Sequence, residues 1–366
     1  MQLRLDHEPD HESDHESDHS PDTASPLSTI TVDAPARLHL GFLDPSGSLG
    51  RAFGSVGLTI DAPGTRITAQ YADYADKTQV IGAHTDAQRE RITHYLGLLH
   101  DAYGGPPVLI DVRRAPRAHA GLGSGTQLAL TVGTAFVRLL GRPASTAELA
   151  RLLGRGARSG IGMLGFDHGG LIVDSGPGTH PGAHHQPHVP SILTRLPFPD
   201  AWRILLVDDT RQEGLHGNEE RRALATLAPF PKELAAHLCH LVLMLVLPGI
   251  AEHDFDTFAR GIGELQQTIG EYFAPAQGGV FSSPAVAAAL GAAEAATQHR
   301  AGIGQTSWGP TGFAFVQNAQ DAERALAAAM DTTRGIAGVV CSVAAGSNRG
   351  ASIHAGSLQR CNSGLP

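Results

Sequence analysis

The sequence is short of aromatic side chains (5%), of charge (17%) and of cysteine (three residues), and each shortage excludes something. Scarce rings shift weight from aromatic packing to loops and close backbone approaches. Cys239, Cys341 and Cys361 show neither CxxC nor metal-ligand spacing, so they outline no disulfide framework and no zinc site, and they fit structural roles in a reducing compartment. No apolar run approaches the ~18 residues needed to cross a bilayer. The most apolar stretch, 241–247, is stopped by Pro248 and Gly249 and reads as part of a buried helix. The opening MQLRLDHEPD lacks the basic and apolar regions of a secretory signal and is too acidic for a transit peptide, which makes a cytoplasmic location the expectation, with no membrane partner.

A basic face is missing as well. Lys and Arg number 27 against 36 Asp and Glu, a formal net charge of −9. Asp6, Glu8, Asp10, Glu12, Asp14, Glu16 and Asp18 supply seven of those negatives in one N-terminal run, and without them the remainder is near −2. Such a body carries no broad electrostatic footprint for nucleic acid, so an anionic ligand must be held by a local site.

Glycine, by contrast, is abundant: 44 of 366 residues, against a usual ~7%. The length predicts two or three domains. Residues 6–20, DHEPDHESDHESDHS, contain nothing apolar to offset the entropy of ordering and read as a disordered tail, with loose divalent-metal binding by the spaced histidines as the alternative. The fold is expected to start near Leu27. Strands are expected over 28–32, 37–42, 57–60, 65–71 and 107–112, and helices over 85–100, 127–140 and 146–153. A Gly- and Pro-rich stretch, 176–190, places a boundary near 195. Beyond it come a strand at 203–207, helices near 218–228, 232–246, 255–273 and 284–299, and strands near 312–316 and 338–343. The class is α+β, with a tail 1–26 and domains 27–195 and 196–360.

Between the strand at 107–112 and the helix at 127–140 lies HAGLGSGTQ, residues 119–127. Glycines 121, 123 and 125 let the backbone approach a ligand, and amides at a helix N-terminus favour phosphate. The hydroxyls of Ser124 and Thr126 add donors or reach a phosphate-bound magnesium ion. The pattern is neither GxxxxGK[ST] nor GxGxxG.

AGLGSGTQLAL resembles the phosphate loop of the GHMP kinase superfamily. APARLHLGF (34–42) resembles its first motif and GIGQTSWGPTGFAF (302–315) its third. The resemblance implies a two-domain GHMP kinase fold, with an N-terminal domain like ribosomal protein S5 domain 2, a ferredoxin-like C-terminal domain and the ligand between them. ARLHLGF, HAGLGSGTQLAL (119–130), RSGIGMLGFDHGG (158–170), GLHGNEE (214–220) and GQTSWGPTGF (304–313) together resemble the β-ribofuranosylaminobenzene 5'-phosphate synthase family of methanopterin biosynthesis. That resemblance implies a transferase joining 5-phosphoribosyl 1-diphosphate to 4-aminobenzoate or 4-hydroxybenzoate, with loss of carbon dioxide and diphosphate. Magnesium and a homodimer are implied with it.

The alternative is an ATP-dependent small-molecule kinase. GHMP kinases commonly carry an Asp in an SGxD element. Here that element reads Ser159-Gly160-Ile161-Gly162, which favours the synthase, although Asp167 stands five residues on. The resemblance makes Arg37, His39, Arg158 and Asp167 the catalytic candidates. On the strand pattern alone, Arg37 also fits an edge position and His39 a satisfied core histidine. Phosphate or substrate contacts are expected from Gly121, Leu122, Gly123, Ser124, Gly125, Thr126, Gln127, Ser159, Gln305, Thr306, Ser307 and Trp308, and metal contacts from Ser124 and Asp167. Trp308 either stacks on the aromatic substrate or wedges the domains. Asp208 and Asp209 read as turn residues, and Glu219 and Glu220 as first-turn helix charges with only a modest claim on function.

Overall fold

The computed structural model describes residues 29–72, 77–177, 189–214, 222–223, 226–306 and 309–356. The tail 1–26, the GLHGNEE residues 215–220, Ser307, Trp308 and Cys361 lie outside them. Two sheets are present. The first holds β1 (Thr29–Asp44), β2 (Phe53–Tyr71), β3 (Gln79–Ile81), β4 (Val108–Arg114), β5 (Leu171–Asp174), β6 (Ile192–Leu196) and β11 (Ser352–Gly356). Its main path runs β11-β1-β2-β4-β3, with β5 joining β2 and β6 joining β5. The second is β7 (Arg203–Asp209), β8 (Gly302–Gln305), β9 (Thr311–Val316) and β10 (Val339–Ala345), ordered β10-β7-β9-β8.

The alternation that marks 28–42 and 57–71 belongs to two long strands, each unbroken where two shorter ones were expected. β1 changes register between Ala34 and Ala36 and again between His39 and Gly41. Such bulges bend a strand and re-aim its side chains. Accordingly Ile30, Val32 and Ala34 pack under α1 (Asp86–Tyr103) and α2 (Ser124–Leu139), whereas Ala36, Leu38 and Leu40 join the core between the two sheets. In β7 the two-residue period is clean: Ile204 and Leu206 enter that central core, and Leu205 and Val207 pack beneath α8 (Pro284–Ala296) and α9 (Ala319–Thr332). A strand buried on both faces reads as a continuous apolar run, as RILLV does.

Aromatics are few, yet the fold concentrates them. Phe198, Trp202, Phe255, Phe258 and Phe315 form a chain of rings in the central core, with Trp202 to Phe258 at 5.0 Å and Phe258 to Phe315 at 5.1 Å between centroids. Ring packing therefore matters more than composition alone suggests.

The apolar segment corrects another expectation. Helix α5 (Lys232–Leu241) does not stop before Pro248. It continues through a π-helical turn, Val242–Val246, into α6 (Leu247–Ala251). Leu247 donates its N–H to the Val242 carbonyl, five residues back. Widening the helix there accommodates a proline that would otherwise lose a hydrogen bond and clash with the preceding turn. The 20 residues 232–251 are long and apolar enough to cross a membrane by composition. Instead Ala235, Leu238, Leu241, Val242, Val246 and Ile250 join the central core, with the segment packed against α7 (Phe255–Gln277) and against β1 and β6 of the first sheet. The remaining departures are additions: α9, β3, β6, β8, β11 and α4 (Ile161–His168) were not expected.

Candidate active site

Helix α2 begins at Gly123, whose φ of 79° lies in the left-handed region, and no side chain caps it. The amides of Thr126 and Gln127 both donate to the Gly123 carbonyl at 3.0 Å, so they are spent inside the first turn. Those of Ser124 and Gly125 have no protein partner among the described residues. The positive end of the helix is therefore left to a ligand at these two positions.

The loop is clamped from both sides by motifs far away in sequence. The Arg37 amide donates to the Leu122 carbonyl at 3.2 Å, and its guanidinium donates to the Gly121 carbonyl. A Cβ on Gly123 would meet the Arg37 side chain at 3.0 Å. Thr306, fully buried, accepts from the His39 amide at 3.0 Å and donates to the Gly121 carbonyl at 2.9 Å. Behind it Gly309 packs backbone to backbone on Gly121, where an added Cβ would lie 2.4 Å from the Gly121 Cα. Glycine is obligatory at that contact because the two chains touch.

A second helix start stands nearby. Asp174, at the end of β5, is fully buried; its carboxylate accepts from the amides of Gly160 (2.7 Å), Gly176 (2.8 Å) and Ser55 (3.1 Å), and from the Ser159 hydroxyl (3.2 Å). The Ser55 hydroxyl lies 2.5 Å from it. Ser159, expected to touch substrate, is thus tied into this carboxylate knot at the head of α4. Gly162, in the first turn of α4, faces the loop: a Cβ there would sit 3.0 Å from the Thr126 methyl, so a larger side chain at position 162 would press on the first turn of α2.

The same region gathers cations. Arg158, next to Ser159, and Arg37 both act on His39, which is buried with neither ring nitrogen hydrogen-bonded among the described residues. Burial first, and then these two guanidiniums, hold its pKa down to about 3. His39 is consequently a neutral imidazole at any ordinary pH. A third cation, Arg155, lies 3.5 Å from the Cβ position of Gly125, stacked 5.6 Å above the Tyr95 ring and donating to its hydroxyl. Nothing in GRGARSG marked it.

Several expected contacts lie elsewhere. Gln127 turns inward and donates to the Gly162 carbonyl at 2.8 Å. Leu122 buries its side chain in the central core and offers only backbone. Gln305 accepts from the Ser282 amide at 2.7 Å and reaches Gln277 at 3.3 Å. Asp167 is exposed and accepts from Thr146, the first residue of α3 (Thr146–Leu152). It stands five residues, about 140° of helix, from Gly162. Partial desolvation of its carboxyl group raises its pKa, against the opposing hydrogen bond from Thr146. The carboxylate that shares a cavity with Ser124 is Glu213. That cavity, about 690 Å³, also takes in Arg91, Arg117 and His119, and Arg117 is paired with Asp208 at 2.7 Å. Among the described residues no three His, Cys, Asp or Glu side chains converge as a metal cage. A metal here would need oxygens from a ligand, and Ser124 with Glu213 supply one hydroxyl and one carboxylate, a donor set that suits a phosphate-bound magnesium ion.

Comparison with known proteins agrees with this layout. Residues 90–170 match the GHMP kinases N terminal domain and residues 246–332 the GHMP kinases C terminal family. The fold is shared with homoserine kinase from Cytophaga hutchinsonii (TM-score 0.63, 16% identity, 90% of this chain and 99% of that one) and with Streptococcus pneumoniae phosphomevalonate kinase (0.60, 13%, 87% and 100%). In sequence the chain is 35% identical over 240 residues to the β-ribofuranosylphenol 5'-phosphate synthase of Archaeoglobus fulgidus, covering 64% of this chain and 74% of that protein. It is 30% identical over 251 residues to that of Methanocaldococcus jannaschii, covering 64% and 76%. With a kinase-like fold, a glycine where kinases carry their carboxylate and this degree of identity, the chain belongs to the β-ribofuranosylphenol 5'-phosphate synthase family.

Proposed function

We propose that this protein is a magnesium-assisted transferase of methanopterin biosynthesis that condenses 5-phosphoribosyl 1-diphosphate with 4-hydroxybenzoate, or 4-aminobenzoate, releasing carbon dioxide and diphosphate. The observation that carries this reading is the open head of α2, where the Ser124 and Gly125 amides have no partner among the described residues and stand beside Arg155, while position 162 holds a glycine packed on Thr126 in place of the kinase carboxylate.

The leaving diphosphate binds at Gly121 to Thr126. The amides of Ser124 and Gly125 and the guanidinium of Arg155 stabilise the charge that grows on it as the ribose C1–oxygen bond breaks. Magnesium, held by Ser124 and Glu213 together with the phosphates, would neutralise the same charge. The ring carbon bearing the carboxylate attacks C1. The carbon–carboxylate bond then breaks, its electron pair restores aromaticity, and carbon dioxide departs. Arg37 and Arg158 hold the substrate carboxylate beside C1, because paired guanidiniums favour a carboxylate over neutral groups. Neutral His39 donates or accepts one hydrogen bond there without adding charge. Thr306 keeps the third motif on the loop, and Gln305, Ser307 and Trp308 contribute substrate contacts from the same motif. Residues 27–195 and 196–360 act as two domains enclosing the substrates, in a cytoplasmic homodimer.

The test is to incubate the protein with magnesium, 5-phosphoribosyl 1-diphosphate and carboxyl-labelled 4-hydroxybenzoate, beside a reaction holding ATP and small alcohols. Labelled carbon dioxide that depends on the ribosyl donor is the expected result. ADP without carbon dioxide would return the chain to the kinases.

A further inference from the structure

The cavity of about 690 Å³ beside Ser124 has the size of a small-molecule site. One wall is α1, which brings Gln88 and Arg91 to it, and another is the segment 115–119 that leads into the glycine loop. The second wall is firmly tied. Arg117 donates to the Asp208 carboxylate at 2.7 Å and to the Gln212 carbonyl at 2.9 Å, and the Gly214 amide donates to the His119 carbonyl at 3.0 Å. These bonds fix Glu213, between Gln212 and Gly214, as a lining residue. They also spend the charge of Arg117, which therefore belongs to the wall.

Arg91 is a different kind of cation. It is half-buried, it lines the cavity, and its guanidinium has no hydrogen bond or ion pair among the described residues. Its own helix supplies none, because the residues three and four positions away are Ala87, Gln88, His94 and Tyr95, without a carboxylate. Elsewhere in the same domain such charges are matched: Arg66 and Arg114 share Asp33. A half-buried guanidinium with no counter-charge inside a cavity favours an anion there. One turn further along the same face of α1, Tyr95 anchors a second cation. Its hydroxyl accepts from Arg155, which stacks 5.6 Å from its ring centroid and comes within 3.5 Å of the Cβ position of Gly125. Arg91 and Tyr95 are four residues, ~6 Å of helix, apart. One cation thus stands at the open amides of the loop and the other away from them.

A nucleoside triphosphate carries its charge at one end and would set a neutral base against Arg91, whereas a sugar phosphorylated at both ends answers both cations. We propose that this cavity seats the ribosyl donor, with its diphosphate at Ser124 and Gly125 and its 5-phosphate on Arg91. The inference rests on the synthase reading and adds the residue that recognises the unreactive end of the donor. Ala87, Ala115 and Ala118 are small and leave width for the ribose between the two anions. Glu213, the one carboxylate among the described lining residues, serves the magnesium ion of the diphosphate. Gripping the 5-phosphate fixes C1 relative to the loop, so that binding energy from a remote group positions the reacting carbon.

Calorimetric titration of the full chain with magnesium and, separately, 5-phosphoribosyl 1-diphosphate, ribose 5-phosphate, inorganic diphosphate and ADP tests it, with no aromatic acid present. Arg91→Met is expected to weaken the ribosyl donor and ribose 5-phosphate at least tenfold, the value of a charge-assisted contact, while diphosphate stays within twofold. Arg155→Met is expected to do the reverse, weakening the donor and diphosphate but leaving ribose 5-phosphate within twofold. Arg91 has no ion pair to lose, so its variant should unfold at the urea concentration of the wild type. Wild-type affinities throughout in Arg91→Met, or equal losses for diphosphate and ribose 5-phosphate, overturn the assignment, and so does a wild type that binds ADP more tightly than the donor. Carbon dioxide release by the wild type judges the synthase reading separately: release without the split between the two variants keeps the synthase and sinks the Arg91 site, whereas the split without release keeps the site and sinks the synthase.

Discussion

Two helices begin within reach of each other in the N-terminal half of this protein, and they are finished in opposite ways. The head of α4 is occupied by a carboxylate of the protein itself, Asp174, buried and fed by three amides. The head of α2 has no capping side chain and leaves the Ser124 and Gly125 amides without partners among the described residues. Both are positive ends of helix dipoles. One has been satisfied during folding and is therefore part of the scaffold, whereas the other waits for an anion and is therefore part of the site.

The contrast can be broken first at its satisfied end. Asp174→Ala strands the buried donors of Ser55, Gly160 and Gly176, and is expected to cost about 3–5 kcal/mol of stability, read from urea unfolding. A loss below ~1 kcal/mol would mean that the carboxylate does not hold the head of α4. At the open end, Gly123→Ala forces a side chain into the left-handed region and against Arg37. It is expected to lower stability by only about 1–2 kcal/mol but kcat/KM by roughly 10²-fold, because the loop amides are displaced. Equal damage to folding and catalysis would erase the distinction between scaffold and site.

Arg155→Met sharpens the comparison by removing a cation from the open end alone. The KM for 5-phosphoribosyl 1-diphosphate should rise about tenfold, and the KM for the aromatic acid should stay unchanged. A uniform rise in both would place Arg155 in the scaffold with Tyr95.

The smallest effect is a pH dependence. His39 is neutral when folded, with its pKa depressed from 6.5 to about 3, so the unfolded chain takes up a proton that the folded one refuses. Its contribution is present above pH 6.5 and is lost as pH falls from there toward 3, by at most ~1.4 kcal/mol per unit and under ~1 kcal/mol between pH 7 and 6. Comparing unfolding at pH 7 and pH 6 with His39→Gln isolates it. A slope unchanged in the variant would show that other groups set it.

Much of this could be read without coordinates. The glycine loop between a strand and a helix is local, and its amides follow from where the helix begins. The same holds for the short apolar run of β7 and for the amphipathic α7. Less was legible where an element is defined by its neighbours. Pro248 reads as a stop because its effect on an isolated helix is local and known, and only the π turn packed into the core lets the helix pass it. Asp174 carries no signal of its role, since nothing in LIVDSGPG reveals that Gly160 and Ser55 will aim their amides at it. Asp167, adjacent to histidine and following the RSGIG motif, looked like the metal carboxylate, yet the turn of α4 carries it toward Thr146.

The sequence by itself determined the superfamily fold, the loop that cradles phosphate and the absence of the kinase carboxylate, because each is written in a few adjacent residues whose backbone geometry is fixed by residue type. Only the tertiary structure decided which side chains meet. Arg155 beneath the loop, Arg91 and Glu213 in the cavity of Ser124, and Asp174 at the head of α4 join positions tens to hundreds of residues apart. Such contacts depend on how two sheets and their helices pack, and packing is a property of the whole chain that no local pattern carries.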